Sequence, residues 1–251
     1  MKQMNSRTKT AALIVARLSS ERIPRKNVLP LNGIPMIIRL VNRLRDSKYL
    51  DDIIVCTSEH SSDDELCKLC QENNISYGRG PLENVMERIC SVASDHDVTT
   101  IVEILGDNPF IQSDLVDHGI EIFDSNVFDY VANYSNDYVQ ELNIPKFPIG
   151  IRVQVYSLQS ALLYLDDTLK RRSHPSSFLY SNPERFNVKL FGAVDKYQNL
   201  NHPNYNISVN YKSNFEFANQ IFKKFDGDVR ISDVIDELES NESLMSMIKQ
   251  S

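Results

Sequence analysis

Short apolar runs alternate with amphipathic stretches through the first half of the chain. AALIVA (11–16) is apolar throughout, which is typical of a strand buried on both faces. After it, IPMIIRLVNRLRDS has aliphatic side chains at helical spacing (Ile37, Ile38, Val41 and Leu44). The same alternation recurs in DIIVCTS, SSDDELCKLCQENN, ISYGRG, PLENVMERICSVASDH, VTTIVEIL and QSDLVDHGIEIFDS. This pattern predicts an α/β fold with a parallel sheet and helices on both faces.

The second half of the chain alternates less regularly. Strands are predicted in FPIGIRVQVYS, NVKLFGAV and YNISVN. Helices are predicted in LQSALLYL, KSNFEFANQIFKKF and ISDVIDELESNESLMSMIKQ, and a helix interrupted by prolines in SHPSSFLYSNPERF. No Gly/Ser-rich linker or internal repeat separates these segments. We therefore predict one domain over residues 1–251, in which about 134–205 form a dimerisation lobe.

Cations are concentrated in ARLSSERIPRKN, directly after the first predicted strand. The chain carries a net charge of −7, which argues against general nucleic-acid binding and makes this cluster a local feature. Such a cluster is often only a solvated surface. Here, however, it lies where parallel sheets bind ligands, beyond the carboxyl end of a strand, and it includes the hydroxyls of Ser19 and Ser20. No glycine-rich P-loop is present. The segment therefore predicts a phosphate site made by side chains.

The remaining features of composition point to a reduced, cytoplasmic protein. The polar N-terminus and the short apolar run after it predict neither a signal peptide nor a membrane span. Cys67 and Cys70 form a CxxC, but no second pair of ligands follows at zinc-site spacing. We therefore interpret the cysteines as small core residues.

The cationic segment is similar to the signature of the cytidylyltransferases. ARLSSERIPRKNVLPLNGIPMI resembles that of the CMP-sugar synthetases for sialic, pseudaminic and Kdo-type acids. It is most similar to the cytidylyltransferase-like proteins of spore-coat polysaccharide synthesis. The matching positions are Arg17, Ser20, Arg22, Pro24, Lys26, Gly33 and Pro35. Further matches lie in GRGPLENVMER (Arg79, Gly80, Val85 and Arg88), in EILGDNPFI (Gly106, Asp107 and Pro109) and, more weakly, in RRSHP (Arg172 and His174).

The resemblance implies a GT-A-like (Rossmann-like), three-layer nucleotidyltransferase fold with a small dimerisation lobe, and a homodimer. The implied reaction transfers CMP from CTP to a sugar acid of nonulosonic or Kdo type, for surface glycan biosynthesis, with release of pyrophosphate. Nucleotide binding is implied for Arg17, Ser20, Arg22, Lys26, Arg79, Gly80, Gly106 and Asp107. Arg17, Lys26 and Asp107 would be catalytic, and Asp107 and Asn210 would hold Mg²⁺. Acceptor binding is implied for Gln154, Arg172 and His174.

The chain departs from the family pattern at acidic positions of the relatives. These positions are occupied here by Gln112, Arg152, Gln154, Ser173 and Asn210. The change at Asn210 removes a carboxylate from the expected Mg²⁺ site. Two functions other than that of a synthetase therefore remain open. The chain could be a nucleotide-binding paralogue without catalysis in the same pathway, or a GT-A glycosyltransferase. The sequence does not specify the acceptor.

Overall fold

The computed structural model describes residues 8–125, 127–136, 143–165, 174–226 and 229–249. Its strands are β1 (Thr10–Val15), β2 (Pro30–Leu31), β3 (Ile34–Pro35), β4 (Asp52–Ser58), β5 (Ser76–Gly80), β6 (Thr100–Leu105), β7 (Tyr130–Asn133), β8 (Gln154–Ser157) and β9 (Val188–Phe191). Its helices are α1 (Met36–Leu44), α2 (Asp64–Glu72), α3 (Val85–Asp95), α4 (Ser113–Phe123), α5 (Leu158–Leu162), α6 (Ser177–Tyr180), α7 (Lys212–Lys224), α8 (Ile231–Ser240) and α9 (Glu242–Lys249).

A seven-stranded sheet forms the middle layer, in the order β5-β4-β1-β6-β8-β7-β9. The pairs among β5, β4, β1 and β6 are parallel, as the β–α alternation predicts. Strand β8 runs antiparallel to β6 and β7, so the sheet is mixed rather than wholly parallel. Alternate side chains of β1 enter two separate apolar cores: Ala12 and Ile14 on one face, Ala11 and Leu13 on the other. The predicted three-layer α/β fold is confirmed.

The two cores are covered by different helices. Residues of α1, α2, α4, α7, α8 and α9 pack on one face of the sheet, and residues of α3, α5 and α6 on the other. All four cysteines are buried with free thiols, in keeping with their interpretation as core residues. None of the helices within the described ranges is both long and apolar enough to cross a bilayer.

In the second half one strand prediction was wrong and one strand was missed. YNISVN forms no strand; Asn206 makes only an isolated bridge to Ile149. Its backbone bonds go to different segments, since the N–H of Ile207 donates to Ile149 and that of Val209 to Asp107. Conversely, FDYVANY contains β7, which was not predicted and lies inside the sheet.

The proposed lobe at 134–205 is partly built into the sheet, because β8 and β9 belong to this range. Some of its residues lie outside the described ones, at 137–142 and 166–173. Its role in dimerisation stays a prediction.

Candidate active site

A cleft of about 750 Å³ opens where the carboxyl ends of β1 and β6 meet. It is lined by the segment after β1, the loop between β5 and α3, the residues after β6, and Asn210 just before α7. Ligand sites of open α/β sheets lie at such a position because the loops there converge from neighbouring strands. The cleft therefore contains the cationic segment predicted to bind phosphate.

Buried polar side chains fix the backbone of the cationic segment. Asp63 is fully buried, and its carboxylate accepts hydrogen bonds from the N–H of Leu18 at 2.7 Å and from the N–H of Ser58 at 3.2 Å. The Nδ2 of Asn27 donates to the carbonyl of Arg17 at 3.1 Å. These contacts tie the loop to the end of β4 and to itself, so little ordering remains to be done when a ligand binds.

Lys26 and Asp107 form an ion pair in the cleft in which one carboxylate oxygen has no partner among the described residues. The Lys26 ammonium lies 3.5 Å from Asp107 Oδ2 and donates to the carbonyl of Val209 at 2.7 Å. Burial lowers the pKa of Lys26 below its usual range, partly offset by the attraction of Asp107. Asp107 Oδ1 is buried and accepts no hydrogen bond from the described residues. A buried carboxylate oxygen without a partner is costly, so this atom is suited to a cation or a donor on a ligand.

Arg22 contacts Asn210 on the other side of the cleft. Its Nη2 donates to Asn210 Oδ1 at 3.2 Å, and its guanidinium lies 5.0 Å from the centre of the Tyr211 ring. The Nδ2 of Asn210 donates to Ser208 Oγ at 2.7 Å. Asn210, predicted as a metal ligand, thus directs its carbonyl oxygen at an arginine.

The structure brings most of the predicted nucleotide-binding residues together. Arg17, Ser20, Arg22, Lys26, Gly106 and Asp107 all line the cleft. Gly106 is required by close packing, because a Cβ there would lie 2.9 Å from Ala16 Cβ and from the carbonyl oxygen of Val15. This close approach places the start of the cationic segment beside Asp107.

Arg79 and Gly80 lie outside the residues that line the cleft. The Arg79 guanidinium donates to the carbonyls of Ser58 and His60 and forms an ion pair with Asp64 at 2.8 Å. Gly80 lies under α3, where a Cβ would come within 3.0 Å of Arg88 Cα. Their contact with cytosine or ribose stays a prediction.

The predicted acceptor residue Gln154 belongs to a buried polar network. Its Oε1 accepts from the Tyr130 hydroxyl at 2.7 Å and from Ser176 Oγ at 2.9 Å. In the β6–β8 pair Gln154 lies opposite Glu103, which is also fully buried and accepts from Tyr156 at 2.7 Å. Burial raises the pKa of Glu103.

The network lies close to the cleft, because Glu103 is two residues before the cleft residue Leu105 on β6. His174, also predicted to bind the acceptor, is half-buried and two residues before Ser176. Arg172 and Ser173 lie outside the described residues.

A family model described as cytidylyltransferase matches residues 11–250, nearly the whole chain. The chain belongs to the cytidylyltransferase family. It is therefore a CTP-dependent nucleotidyltransferase, and the resemblance inferred from its motifs is confirmed.

Relatives and solved structures agree with this assignment. The spore coat polysaccharide biosynthesis protein SpsF of Bacillus subtilis is 27% identical over 240 residues, covering 91% of this chain and 93% of that protein. A cytidylyltransferase structure from Leptospira borgpetersenii has a TM-score of 0.77 at 21% identity and covers 98% of each chain. The structure of CMP:2-keto-3-deoxy-manno-octonic acid synthetase complexed with CTP has a TM-score of 0.66 at 14% identity, covering 87% of this chain and 100% of that one. At these identities the two structures show a shared fold.

Several residues that shape the cleft of this cytidylyltransferase were not predicted. Asp63 and Asn27 act by holding the backbone, and Arg88 does the same from within the cleft wall. Arg88 was visible as a motif position, but no pattern in the sequence indicated which carbonyls it contacts. Gln112, one of the departures from the family pattern, lies away from this cleft and accepts from the N–H of Ile231 at 2.6 Å.

The described residues contain no group of three or more His, Cys, Asp or Glu side chains arranged to hold a metal ion. In the cytidylyltransferase cleft the donor suited to a divalent cation is Asp107 Oδ1, an unpartnered carboxylate oxygen. Asn210 offers a neutral oxygen that already accepts from Arg22.

Proposed function

We propose that this cytidylyltransferase transfers CMP from CTP to a sugar acid of nonulosonic or Kdo type, for surface glycan biosynthesis. The observation that carries the proposal is the pairing of Lys26 with Asp107, whose Oδ1 has no partner among the described residues, beside Arg17 and Arg22 in one cleft. The name of the SpsF protein supports a role in polysaccharide biosynthesis, and that of the Kdo synthetase supports a Kdo-type acid as the acceptor.

The acceptor hydroxyl attacks the α-phosphorus of CTP, forming one O–P bond while the bond to the β-phosphate oxygen breaks. The electron pair of that bond leaves with pyrophosphate, and the hydroxyl proton passes to water. Such a transfer needs positioning and charge neutralisation rather than a protein nucleophile. Arg17, Arg22 and Lys26 would neutralise the triphosphate, with Ser20 as a further donor.

Asp107 would hold Mg²⁺, since hard divalent cations prefer carboxylate oxygen. When bound, the ion would neutralise charge on the phosphates. Asn210 is proposed as a weak second ligand, because its oxygen is neutral and shared with Arg22. Gln154, Arg172 and His174 are proposed on the acceptor side, and Arg79 and Gly80 near the nucleoside.

Pyrophosphate release from CTP over a panel of sugar acids tests this proposal. Release should require both CTP and one acid of the nonulosonic or Kdo type, and Asp107→Asn should reduce it by about two orders of magnitude or more, the range measured for one lost transition-state contact. Binding of CTP without release over the whole panel would instead favour the non-catalytic paralogue. Release with neutral sugars alone would contradict the proposed acceptor class.

A further inference from the structure

Arg88 is a buried cation in the wall of the cleft. It is the fourth residue of α3, is 1% exposed, and lines the cleft beside Leu82, Glu83 and Val85. Its Nη1 donates to the carbonyls of Pro81 at 2.8 Å and Leu82 at 3.1 Å. Its Nε is buried without a hydrogen-bond partner, and no carboxylate among the described residues forms an ion pair with it. Arg88 also interacts with the buried thiol of Cys56, but a thiol carries no charge to offset the guanidinium, so the burial of Arg88 stays costly. What the arginine holds in return is the backbone of the loop before α3.

The two carbonyl contacts determine how the 81–84 loop presents its backbone. No peptide bond of the described chain is cis. In a trans peptide the C=O and the following N–H point in opposite directions. Because Pro81 and Leu82 turn their carbonyls towards Arg88, the N–H groups of Leu82 and Glu83 point away from it. Neither N–H donates to another group in the described part of the chain. On the side away from Arg88, the loop that lines the cleft therefore has two neighbouring donors.

This wall is unsuited to phosphate. The cations Arg17, Arg22 and Lys26 come from the segment after β1, whereas the 81–84 loop contributes the apolar Leu82 and the exposed, acidic Glu83. A carboxylate there repels a triphosphate. The uncharged part of a nucleotide, its base, fits this wall better. Cytosine presents two adjacent acceptors, O2 and N3, whereas uracil carries a hydrogen on N3.

We propose that Arg88 is a positioning residue for base selection: it turns the N–H groups of Leu82 and Glu83 towards O2 and N3 of cytosine. Uracil would place its N3–H against one of these N–H groups and leave it unpaired, which a site built on hydrogen bonds penalises. The inference rests on the proposed function, because it assumes that CTP binds in this cleft.

The test compares CTP, UTP and inorganic tripolyphosphate by calorimetric titration of the unmodified protein and Arg88→Lys. We expect the ratio of the UTP to the CTP dissociation constant to fall by about tenfold in Arg88→Lys, as expected for one or two lost hydrogen bonds. Tripolyphosphate affinity should not change. Arg39→Lys is the matched control, because Arg39 is also buried and donates to two successive carbonyls, those of Leu31 and Asn32, outside this cleft. It should lower the melting temperature without changing the ratio.

An equal loss of affinity for all three ligands in Arg88→Lys, or an unchanged ratio of the UTP to the CTP dissociation constant, would overturn the role of Arg88. A ligand-side measurement keeps the proposal testable if the variant does not fold. The CTP analogue with carbon in place of N3 (3-deaza-CTP) should bind the unmodified protein about tenfold more weakly than CTP; equal affinity would overturn the inference. An unmodified protein that binds no nucleotide would instead overturn the proposed function itself.

Discussion

At the scale of single residues, the cleft places opposite charges close together and leaves a carboxylate oxygen without a hydrogen-bond partner among the described residues. Lys26 is 12% exposed and lies 3.5 Å from a carboxylate that keeps one oxygen unpartnered among the described residues. Arg22 is shared between the amide of Asn210 and the ring of Tyr211. Groups held in this way are ready to contact a phosphate or a metal ion without first breaking a strong ion pair.

The affinity for CTP should decrease with rising pH before an ordinary lysine would lose its proton. Burial lowers the pKa of Lys26, and only its ammonium form attracts the triphosphate. Lys26→Arg keeps the charge over the same range and should remove the decrease. Titration calorimetry from about pH 7 to 10 measures this, spanning the usual lysine pKa. The same decrease in both proteins would show that another group titrates.

Asn210→Asp should increase the affinity for Mn²⁺, used as a probe for Mg²⁺, by about an order of magnitude, since ligand charge governs the affinity of hard cations. The new carboxylate would also pair with Arg22, but an exposed ion pair is worth only about 0–1 kcal/mol. Electron paramagnetic resonance of free Mn²⁺ measures the binding. Asn42→Asp adds the same charge outside this cleft and should leave the affinity unchanged. Unchanged binding in Asn210→Asp would exclude position 210 from the metal site.

At the scale of elements, the site depends on how closely the ends of β1 and β6 approach each other. The N–H of Gly106 donates to the carbonyl of Val15 at 2.9 Å, and the missing side chain lets the segments after both strands meet. Asp63, in the turn before α2, also holds the segment after β1 through the N–H of Leu18. The cleft therefore depends on the connections after β1, β4 and β6, in addition to the β5–α3 loop that lines it.

Gly106→Ala should lower the free energy of unfolding by about 1–3 kcal/mol, because the added Cβ overlaps Ala16 and the backbone of Val15. It should also weaken CTP binding by moving the cationic segment from Asp107. Urea denaturation and calorimetry measure the two effects. Gly33→Ala is the control: φ is +79° and no atom lies near the new Cβ, so backbone strain should reduce stability while CTP affinity stays unchanged. CTP affinity unaffected by Gly106→Ala would contradict the proposed packing role.

The sequence predicted those elements whose hydrophobic pattern is strong and local. β1, β4 and β6, and the helices that alternate with them, follow from apolar runs and helical spacing. The strand prediction for YNISVN was wrong because local hydrogen bonds compete with pairing. The Asn206 side chain accepts hydrogen bonds from both the N–H and the hydroxyl of Ser208, and the flanking N–H groups donate to different segments. β7 was missed because its apolar run is only three residues long, between Asp129 and the buried amide of Asn133.

The site was predictable where motif residues contact ligands directly and unpredictable where they act through the backbone. Lys26, Arg22 and Asp107 lie in recognisable motifs and meet in the cleft. Asp63 reaches Leu18 across 45 positions of the chain, a contact that no local pattern encodes. Arg88 contacts carbonyls, which every residue type carries, so the sequence does not indicate its partners.

At the scale of the whole molecule, we expect a homodimer formed through part of residues 134–205. Leu162 and Leu163 are adjacent in this range, and 47% and 45% of their surfaces are exposed. Two large neighbouring aliphatic side chains so exposed are typical of an interaction surface. A two-fold dimer would bury the same patch on both copies.

Replacing both leucines, in Leu162→Glu with Leu163→Glu, should convert the dimer to a monomer, because charges placed in an apolar interface lose their hydration. Sedimentation velocity at micromolar concentrations measures the mass. Val127→Glu, at a position 59% exposed outside the range, is the control and should leave the dimer intact. A monomeric unmodified protein would contradict the dimer, and a dimeric double variant would place the interface elsewhere.

Calorimetric titration of the unmodified protein with CTP, UTP, ATP and GTP in the presence of Mg²⁺ tests the central claim most directly. We propose that the cleft after β1 and β6 binds CTP, so CTP should bind with a single site per chain and more tightly than the other three nucleotides. Arg17→Ala should weaken the binding of CTP by about 1.5–3 kcal/mol, the typical contribution of a hydrogen bond to a charged group, and leave the binding of cytidine unchanged. Equal affinity for all four nucleotides, or binding of none, would contradict the account.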